Sequence, residues 1–175
     1  MKEELRGKLK NKRNLFCGAA RKSADAVIAK TFFDVCGAYE RYFVYNAFSS
    51  EAATSSVIDG LVAAGKKVYL PRVEGENIVA VPFGKTGKGA FGIFEPKGQA
   101  YEGETDVTVV PLLAVNKRGY RIGYGKGYYD RYLKDRKTLK VGFGYGFQIE
   151  DFQEDAWDEP LDVFICENGI YRFKK

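Results

Sequence analysis

The sequence predicts a single three-layer α/β/α domain with a mainly parallel sheet and a C-terminal hairpin, spanning residues 1–175. Segments with helical periodicity alternate with short apolar runs, which is the element order of a parallel sheet covered by helices. A chain of 175 residues also has room for one substantial core. Neither a repeat nor a linker divides the sequence, so we expect one domain.

The N-terminal half is predicted to contain three helices and three strands. Helical periodicity indicates the helices, and alternation or a short apolar run indicates the strands. Ser50 would cap the third helix and Gly65 would end it. In chain order, the elements are helix 2–16, helix 19–33, strand 41–48, helix 50–64, strand 67–70 and strand 78–81.

The C-terminal half begins with glycine-rich loops, which lead to a buried strand that starts at Asp106 and ends at Pro111. A short helix follows the next glycine-rich loop. The dipeptide Asn168-Gly169 favours a tight turn between two apolar runs, so we expect a terminal hairpin. The remaining elements are helix 128–135, strand 138–146, strand 162–166 and strand 170–173.

Composition excludes several classes of function. No apolar run is long enough to span a bilayer, and the first residues are charged rather than signal-like, so we expect a cytoplasmic protein. Cys17, Cys36 and Cys166 are scattered and odd in number, which favours reduced structural thiols. Histidine is absent, which excludes Ser-His and Cys-His catalysis and histidine-based zinc sites. Proton transfer must therefore use carboxylates, lysine, tyrosine, water or the substrate.

The segment Gly123–Asp130 carries the most chemical information. Its glycines at alternate positions leave backbone N–H groups uncovered, and clustered N–H groups bind anions. Lys126 projects from among them, and a helix predicted from Tyr128 adds a positive N-terminus. Asp130, in the first turn of that helix, can hold a metal ion that bridges phosphate oxygens. The segment therefore predicts a phosphate site; the alternative is a flexible glycine turn with a solvated lysine.

The flanking residues favour the phosphate site. A buried strand precedes the loop, and the polar turn between them carries Lys117, Arg118 and Arg121. A strand, a basic glycine loop and a helix start suit phosphate binding at the carboxyl end of a sheet. The spacing matches neither the Walker A loop nor the dinucleotide fingerprint. A second trio of alternating glycines, at positions 142, 144 and 146, lies in an aromatic strand, and we interpret it as packing space rather than a ligand contact.

Four cations share one face of the first predicted helix, beside an apolar stripe marked by Leu5 and Leu9. Three interpretations are open for this face: a solvated surface, a nucleic-acid surface, or contacts to nucleotide phosphates. The cations are Lys2, Arg6, Lys10 and Arg13.

Several motifs follow one another along nearly the whole chain, and their order and spacing are more specific than any one of them. The most specific is Arg118–Ile122 running into Gly123–Asp130, after Val110–Ala114. The others are Lys2-x-x-Leu5-Arg6, Glu51-Ala52-Ala53-Thr54, Leu70-Pro71-Arg72, Gly92–Pro96, Gln148 and Asp158-x-Pro160-Leu161-Asp162. Together they resemble the signature of the 5-formyltetrahydrofolate cyclo-ligase family, also called 5,10-methenyltetrahydrofolate synthetases.

The resemblance implies an ATP- and Mg²⁺-dependent ligase that converts 5-formyltetrahydrofolate to 5,10-methenyltetrahydrofolate and releases ADP and phosphate. In the family reaction, the γ-phosphoryl group of ATP is transferred to the formyl oxygen, and a neighbouring nitrogen then closes the ring. Phosphoryl transfer depends mainly on positioning and charge neutralisation. A histidine-free chain with a basic glycine loop suits that demand.

The resemblance also implies roles for particular residues. Arg121 and Lys126 would be catalytic, with Lys126 stabilising charge on the transferring phosphoryl group. Asp130 and Asp158 match the positions of the magnesium ligands, although the acidic stretch 150–159 around Asp158 has the alternative of a solvated loop. The residues matched to ATP binding are Lys2, Arg6, Arg121, Ile122, Gly123, Tyr124, Gly125, Lys126, Gly127, Tyr128 and Tyr129, whereas Lys10 and Arg13 are left to solvent.

For the folate, Glu51 matches a carboxylate that accepts paired N–H donors from the amino-pyrimidine edge of the pterin. Its alternative role is to complement the charge of a helix N-terminus. Asn46 lies at the matching strand end, but its identity departs from the family, so its contact could use the backbone. The residues matched to folate are Asn46, Glu51, Tyr124, Gly125, Lys126, Gly127 and Tyr128, and candidate rings for a planar ligand are Phe48, Phe91, Phe94, Tyr128 and Trp157.

Two other functions stay open beside the ligase. One is a paralogue that binds nucleotide or RNA on the same scaffold without catalysis, and the other is an ATP-dependent kinase or ligase for another small anion. A metal pair together with a pterin carboxylate favours the cyclo-ligase. We therefore expect folate and ATP as partners, a monomer, and no nucleic-acid or membrane partner.

Overall fold

The structure of the protein, a computed structural model, describes residues 1–84, 86–88 and 94–174, with the backbone alone at positions 86, 88 and 94. The helices of the described chain are α1 (Lys2–Leu15), α2 (Gly18–Cys36), α3 (Ser55–Ala63) and α4 (Tyr128–Leu133). Its strands are β1 (Arg41–Val44), β2 (Lys67–Glu74), β3 (Asn77–Pro82), β4 (Thr86–Lys88), β5 (Phe94–Pro96), β6 (Val107–Val110), β7 (Ala114–Val115), β8 (Arg121–Ile122), β9 (Leu139–Phe143), β10 (Val163–Cys166) and β11 (Gly169–Arg172).

Seven strands form the central sheet, in the order β11-β10-β9-β6-β1-β2-β3. The five inner strands are parallel, and the two edge strands, β3 and β11, pair antiparallel. All side chains of β6 and β10 are buried, as expected for strands covered on both faces. The mainly parallel sheet and the terminal hairpin are thus confirmed, with the turn at Glu167-Asn168 rather than one residue later.

The helices cover opposite faces because the chain crosses the sheet in both directions. The connection β1-α3-β2 moves one way from β1, whereas β6-α4-β9 moves the other way. Right-handed crossovers therefore place α3 and α4 on opposite faces. Accordingly, α3 packs with α2 into one core cluster, while Tyr132 and Leu133 of α4 pack into the other.

The reversal of strand order lies between β1 and β6, and ligands of open α/β sheets bind at such a point. Two additions build walls above it. The small hairpin β7-β8 follows β6, and α1 packs on that hairpin through Leu9, which contacts the Ala114 and Ile122 region. The first helix, the hairpin and the glycine loop are therefore brought to the same edge of the sheet.

Several predicted boundaries are wrong: α2 ends at Cys36 rather than residue 33, β2 at Glu74 rather than residue 70, and β9 at Phe143 rather than residue 146. The first strand ends at Val44 rather than residue 48, and α3 begins at Ser55 with Thr54, not Ser50, at its N-cap. The Thr54 hydroxyl donates to Tyr45 O at 2.8 Å and accepts from Ala47 N–H at 3.1 Å, which folds the segment 45–54 back on itself. Ser49 has a positive φ of 55°, which no helix or strand continues.

The second glycine trio packs as predicted. A Cβ at Gly142 would lie 2.5 Å from Leu161 Cδ1, and one at Gly144 would lie 3.0 Å from Phe164 Cε2. Both glycines therefore allow side chains to cover β9 closely. Among the helices of the described residues, none combines the length and the apolar character needed to cross a membrane.

Candidate functional site

A cavity of about 510 Å³ opens at the reversal point of the sheet. Its apolar floor includes Tyr45, Pro71 and Pro111, which follow or belong to β1, β2 and β6. All residues assigned to ATP, folate and metal by the sequence line this cavity: Lys2, Arg6, Asn46, Glu51, Asp130, Asp158 and every residue from Arg121 to Tyr129. A second cavity of about 380 Å³, lined by β3, α4 and Arg136, contains none of them.

The glycine loop has a backbone that favours glycine. Gly125 and Gly127 have positive φ angles of 91° and 68°, which side chains disfavour. Arg6 reaches the loop from α1, where its Nε donates to Gly123 O at 2.9 Å. A Cβ at Gly125 would meet the Arg6 guanidinium carbon at 3.5 Å. The first helix and the loop therefore lie in contact.

The two predicted catalytic cations have different surroundings. Lys126 is exposed, and its ammonium has no acceptor among the described residues. Arg121 is almost fully buried; its Nη2 donates to Asp130 Oδ1 at 3.2 Å, and its guanidinium lies over the Tyr129 ring at 5.6 Å. The Arg121 Nε is buried without an acceptor in the described part of the chain, and such a donor costs about 1–3 kcal/mol. Arg121 is therefore held in place by protein contacts, whereas the described residues offer the Lys126 ammonium none.

Of the three cations in the turn before the loop, only Arg121 lines the cavity. Lys117 and Arg118 lie outside its lining, and Arg118 Nη2 instead pairs with Glu154 Oε2 at 2.6 Å. The hydrogen bonds from Arg118 lower the pKa of Glu154 to about 2. Arg118 thus anchors the acidic segment 150–159 against the hairpin.

The acidic segment is held by further ion pairs, which argues against the solvated-loop alternative. Lys140 Nζ binds Glu159 Oε2 at 2.9 Å. Lys2 Nζ binds Asp155 Oδ2 at 2.5 Å and Asp158 Oδ2 at 3.2 Å. Desolvation would lower the pKa of Lys2, but the bonds to the two aspartates outweigh it, so the pKa is raised. Lys2 therefore stays charged and ties α1 to this segment.

Asp130 and Asp158 fit a magnesium ion by their chemistry. Asp130 Oδ1 accepts from Arg121 and from Glu159 N–H, and Asp158 Oδ2 accepts from Lys2 and from Asp155 N–H. Among the described residues, neither carboxylate has a donor on its other oxygen. The same residues contain no cluster of three or more His, Cys, Asp or Glu that could hold a metal alone. Two carboxylates completed by phosphate oxygens and water are a usual magnesium environment.

Glu51 also lines the cavity, and it is 7% exposed. Its Oε2 accepts from Phe48 N–H at 2.7 Å. Burial raises the pKa of Glu51, while the Phe48 N–H, the Tyr124 hydroxyl and the Arg13 charge act in the opposite direction. Because α3 begins four residues later, at Ser55, complementing a helix N-terminus does not explain Glu51.

Exposed aromatic rings also line the cavity. Phe48 and Trp157 line the cavity with 52% and 74% of their surface exposed, so both can cover a planar ligand. Tyr128 lines it half-buried, and the exposed Asn46 lies beside Tyr45 at the end of β1. Phe91 and the side chain of Phe94 lie outside the described residues.

Arg13 corrects the expectation that it faces solvent, since it is 1% exposed. Its guanidinium binds Ser50 Oγ at 3.0 Å, Leu112 O at 3.1 Å and the Tyr124 hydroxyl at 2.5 Å. Sequence spacing held a signal for this: Arg13 follows Leu9 by four residues and so continues the apolar stripe into the core. Lys10, by contrast, is exposed as expected, at the rim of the cavity.

Comparison with known proteins identifies the family of the chain. The family model for the 5-formyltetrahydrofolate cyclo-ligase family matches residues 1–167. A 5-formyltetrahydrofolate cyclo-ligase of Haemophilus influenzae is 32% identical over 137 residues, covering 70% of this chain and 73% of that protein. One of Mycoplasma genitalium is 53% identical, but over 38% of this chain and 41% of that protein.

Solved structures extend the likeness to the whole fold. The structure of Aquifex aeolicus 5,10-methenyltetrahydrofolate synthetase superposes with a TM-score of 0.88 at 34% identity. The superposition covers 99% of this chain and 93% of the Aquifex chain. The sheet and the elements around the cavity therefore have counterparts in that protein.

Proposed function

The chain belongs to the 5-formyltetrahydrofolate cyclo-ligase family, and we propose that it converts 5-formyltetrahydrofolate to 5,10-methenyltetrahydrofolate with consumption of ATP. One observation carries the proposal: the residues matched to ATP, folate and magnesium line one cavity of about 510 Å³. They come from four separate segments, namely α1, residues 46–51, residues 121–130 and Asp158. A local motif alone would not bring these segments together.

The proposed reaction has two bond-forming steps. The formyl oxygen attacks the γ-phosphorus of ATP, which forms an iminium phosphate and releases ADP. The neighbouring amine nitrogen then attacks the formyl carbon and loses its proton, and the carbon–oxygen bond breaks as inorganic phosphate leaves. These steps need positioning and charge neutralisation rather than a nucleophilic side chain. A histidine-free site is compatible with that demand.

The loop residues 123–127 would hold the ATP phosphates through their backbone N–H groups. Lys126, whose ammonium has no acceptor in the described residues, is free to follow the transferring phosphoryl group. Arg121 would supply a fixed positive charge, since Asp130 and Tyr129 hold its guanidinium. Arg6, bonded to Gly123 O, would close α1 over the nucleotide together with Lys2.

Asp130 and Asp158 would hold the magnesium ion. When bound, the ion would neutralise charge on the phosphate oxygens. Lys2 binds Asp158 Oδ2 at 3.2 Å, so the ion would share this carboxylate with the Lys2 ammonium. The other oxygen of Asp158 has no donor among the described residues.

Glu51 would bind the pterin. Phe48 N–H orients its carboxylate, which can accept two N–H groups from the amino-pyrimidine edge. Phe48 and Trp157 would cover the ring. The residues from Tyr124 to Tyr128 would contact both ligands, because they line the cavity together with the residues matched to ATP and to folate. Asn46 is expected to contribute a contact at the end of β1.

Incubation of the purified protein with 5-formyltetrahydrofolate and Mg-ATP tests the proposal. We expect the absorbance of the methenyl product to rise, with one ADP and one phosphate released per product. Omission of ATP or chelation of the metal should stop the reaction. Nucleotide or RNA binding without product would favour the non-catalytic paralogue, and ADP release with another small anion would favour a different kinase or ligase.

A further inference from the structure

A buried arginine connects the first helix to three segments around the cavity. Arg13 is 1% exposed, and its three hydrogen-bond partners come from three remote segments. Ser50 precedes Glu51, Leu112 follows β6, and Tyr124 belongs to the glycine loop. A buried charge is costly unless its donors are satisfied, so these bonds hold the segments in one arrangement.

The contact between Arg13 and Tyr124 has only one possible direction. A guanidinium is a donor without acceptor capacity, so the Tyr124 oxygen accepts from Arg13 Nη2 at 2.5 Å. The hydroxyl proton of Tyr124 is then available to another acceptor, and the Glu51 carboxylate is close enough for each group to shift the pKa of the other. Arg13, Tyr124 and Glu51 therefore lie in series.

Ionisable and charged groups surround Glu51. Three tyrosines lie near its carboxylate, and burial and the Glu51 charge raise the pKa of each: Tyr45 at the end of β1, Tyr124 in the loop and Tyr129 in α4. The pKa of Tyr124 is raised to about 12. From α2, Arg21 binds the main-chain oxygen of Glu51 at 2.8 Å. From α1, the Arg13 charge acts on the carboxylate itself.

We propose that the Tyr124 hydroxyl donates to the Glu51 carboxylate, and that Arg13 is a positioning residue that, through this hydroxyl, fixes the orientation and the negative charge of Glu51 for the folate ring. The proposal rests on the proposed function, because it takes Glu51 as the folate-binding carboxylate. Besides contacting the ligands, Tyr124 would link the buried Arg13 guanidinium to the Glu51 carboxylate through its hydroxyl.

The decisive variant is Tyr124→Phe, which keeps the ring and removes only the hydroxyl. Titration calorimetry with 5-formyltetrahydrofolate alone, and separately with Mg-ATP alone, gives the two dissociation constants without turnover. We expect about a tenfold rise in the folate Kd, the usual effect of losing a hydrogen bond to a buried charged group, and a much smaller change in the ATP Kd, because the loop would hold the phosphates through its backbone. Arg13→Met should act in the same direction.

The pH dependence supplies a readout that a merely structural role would not move. Burial raises the pKa of Glu51, and both the Tyr124 hydroxyl and Arg13 lower it. Removing either one therefore raises that pKa further. If the ionised carboxylate binds folate, binding is lost as the pH falls through the pKa of Glu51. This fall in folate affinity at low pH, the acid limb, should move to higher pH in Tyr124→Phe and Arg13→Met.

Two controls separate the possible causes. Ser50→Ala removes another partner of Arg13 without touching the bond to Tyr124, so it should lower thermal stability and leave both Kd values and the acid limb unchanged. The double variant Arg13→Met/Tyr124→Phe should bind folate no worse than the weaker single variant, because both changes interrupt one chain of hydrogen bonds. Should Arg13→Met fail to fold, Tyr124→Phe decides alone.

Glu51→Gln distinguishes failure of the inference from failure of the proposed function. If Glu51→Gln weakens folate binding while Tyr124→Phe leaves the Kd and the acid limb unchanged, the positioning role is overturned and the folate site stands. If neither variant affects folate binding, the assignment of Glu51 to folate is itself wrong, and the inference falls with it.

Discussion

Two glycine trios with the same spacing have opposite tasks in this molecule. Gly123, Gly125 and Gly127 line the cavity, and the last two have positive φ angles. Gly142 and Gly144 instead lie in or beside the buried strand β9, where Leu112, Leu161 and Phe164 cover them. The first trio uses the conformational freedom of glycine, and the second uses its small volume. Alternating glycines therefore do not by themselves identify a ligand site.

The flanking residues decide between the two tasks. Polar and charged residues surround the first trio, so its backbone can face solvent and an anion. The second trio alternates with Val141, Phe143 and Tyr145, all of them buried. A backbone flanked by such residues pairs within the sheet, and its free surface is taken up by neighbouring side chains. The difference between the trios can be tested by variants that affect activity at one and stability at the other.

The largest effect is expected for Lys126→Ala in the first trio. Losing one positioned charge that acts on the transition state costs about 3–4 kcal/mol, so kcat should fall by about two to three orders of magnitude. Thermal stability should not change, because the Lys126 ammonium has no partner among the described residues. Lys117→Ala, at an exposed site outside the cavity lining, is the matched control and should keep full activity. Near-normal turnover of Lys126→Ala would remove Lys126 from the mechanism.

Gly142→Ala should have the opposite profile. The new methyl group would lie 2.5 Å from Leu161 Cδ1 and 2.9 Å from Leu112 Cδ2, and such overpacking costs about 1–3 kcal/mol of stability. Chemical denaturation should show this loss, while the folded fraction keeps its Kd for ATP. Gly7→Ala, in α1 with no atom within 4 Å of the added methyl group, should instead be stabilising. Unchanged stability of Gly142→Ala would mean that the covering of β9 is looser than described.

Gly125→Ala isolates the conformational task of the first trio. A φ of 91° is strained for alanine, at a cost of about 1–2 kcal/mol, and relief of that strain would move the loop. We expect about a tenfold rise in the ATP Kd. Gly75→Ala carries a comparable strain, at φ 62° in the turn between β2 and β3, but lies outside the cavity lining. It should lose stability and keep ATP affinity, and equal loss of ATP affinity in both variants would show a global effect.

Much of the fold and of the candidate site was predictable because local patterns and tertiary contacts agree there. The run Val107–Val110 ends before Pro111, because proline cannot donate to the neighbouring strand. The segment Gly123–Asp130 combines loop and helix signals within eight residues. The cap at Ser50 was wrong because its hydroxyl bonds Arg13, 37 residues away, instead of a helix end. Thr54 carries the same kind of hydroxyl, and only the folded segment decides between the two.

Arg13 was a further error, and it has a related cause. Charged residues are rarely buried unless paired, so a solvated position was the reasonable expectation. The partners that satisfy its guanidinium lie 37, 99 and 111 residues away, beyond any local pattern. The helix face was readable, since Leu9 and Arg13 are one turn apart, but the compensation of the charge was not.

The smallest expected effect concerns the carboxylates that follow the two trios. Asp130 comes three residues after the first trio, and Asp158 lies in the acidic segment after the second. The fold brings both to one cavity. Either Asp→Asn change should raise the Mg²⁺ concentration for half-maximal activity several-fold, because a neutral amide oxygen ligates this ion less well than a carboxylate. Excess Mg²⁺ should restore part of the activity. Glu150→Gln, in the same acidic segment but outside the lining, is the matched control and should keep the Mg²⁺ dependence of the parent chain. If Asp130→Asn shifts the dependence and Asp158→Asn does not, then Asp158 serves as the ion-pair partner of Lys2 and the second trio leads to no metal ligand.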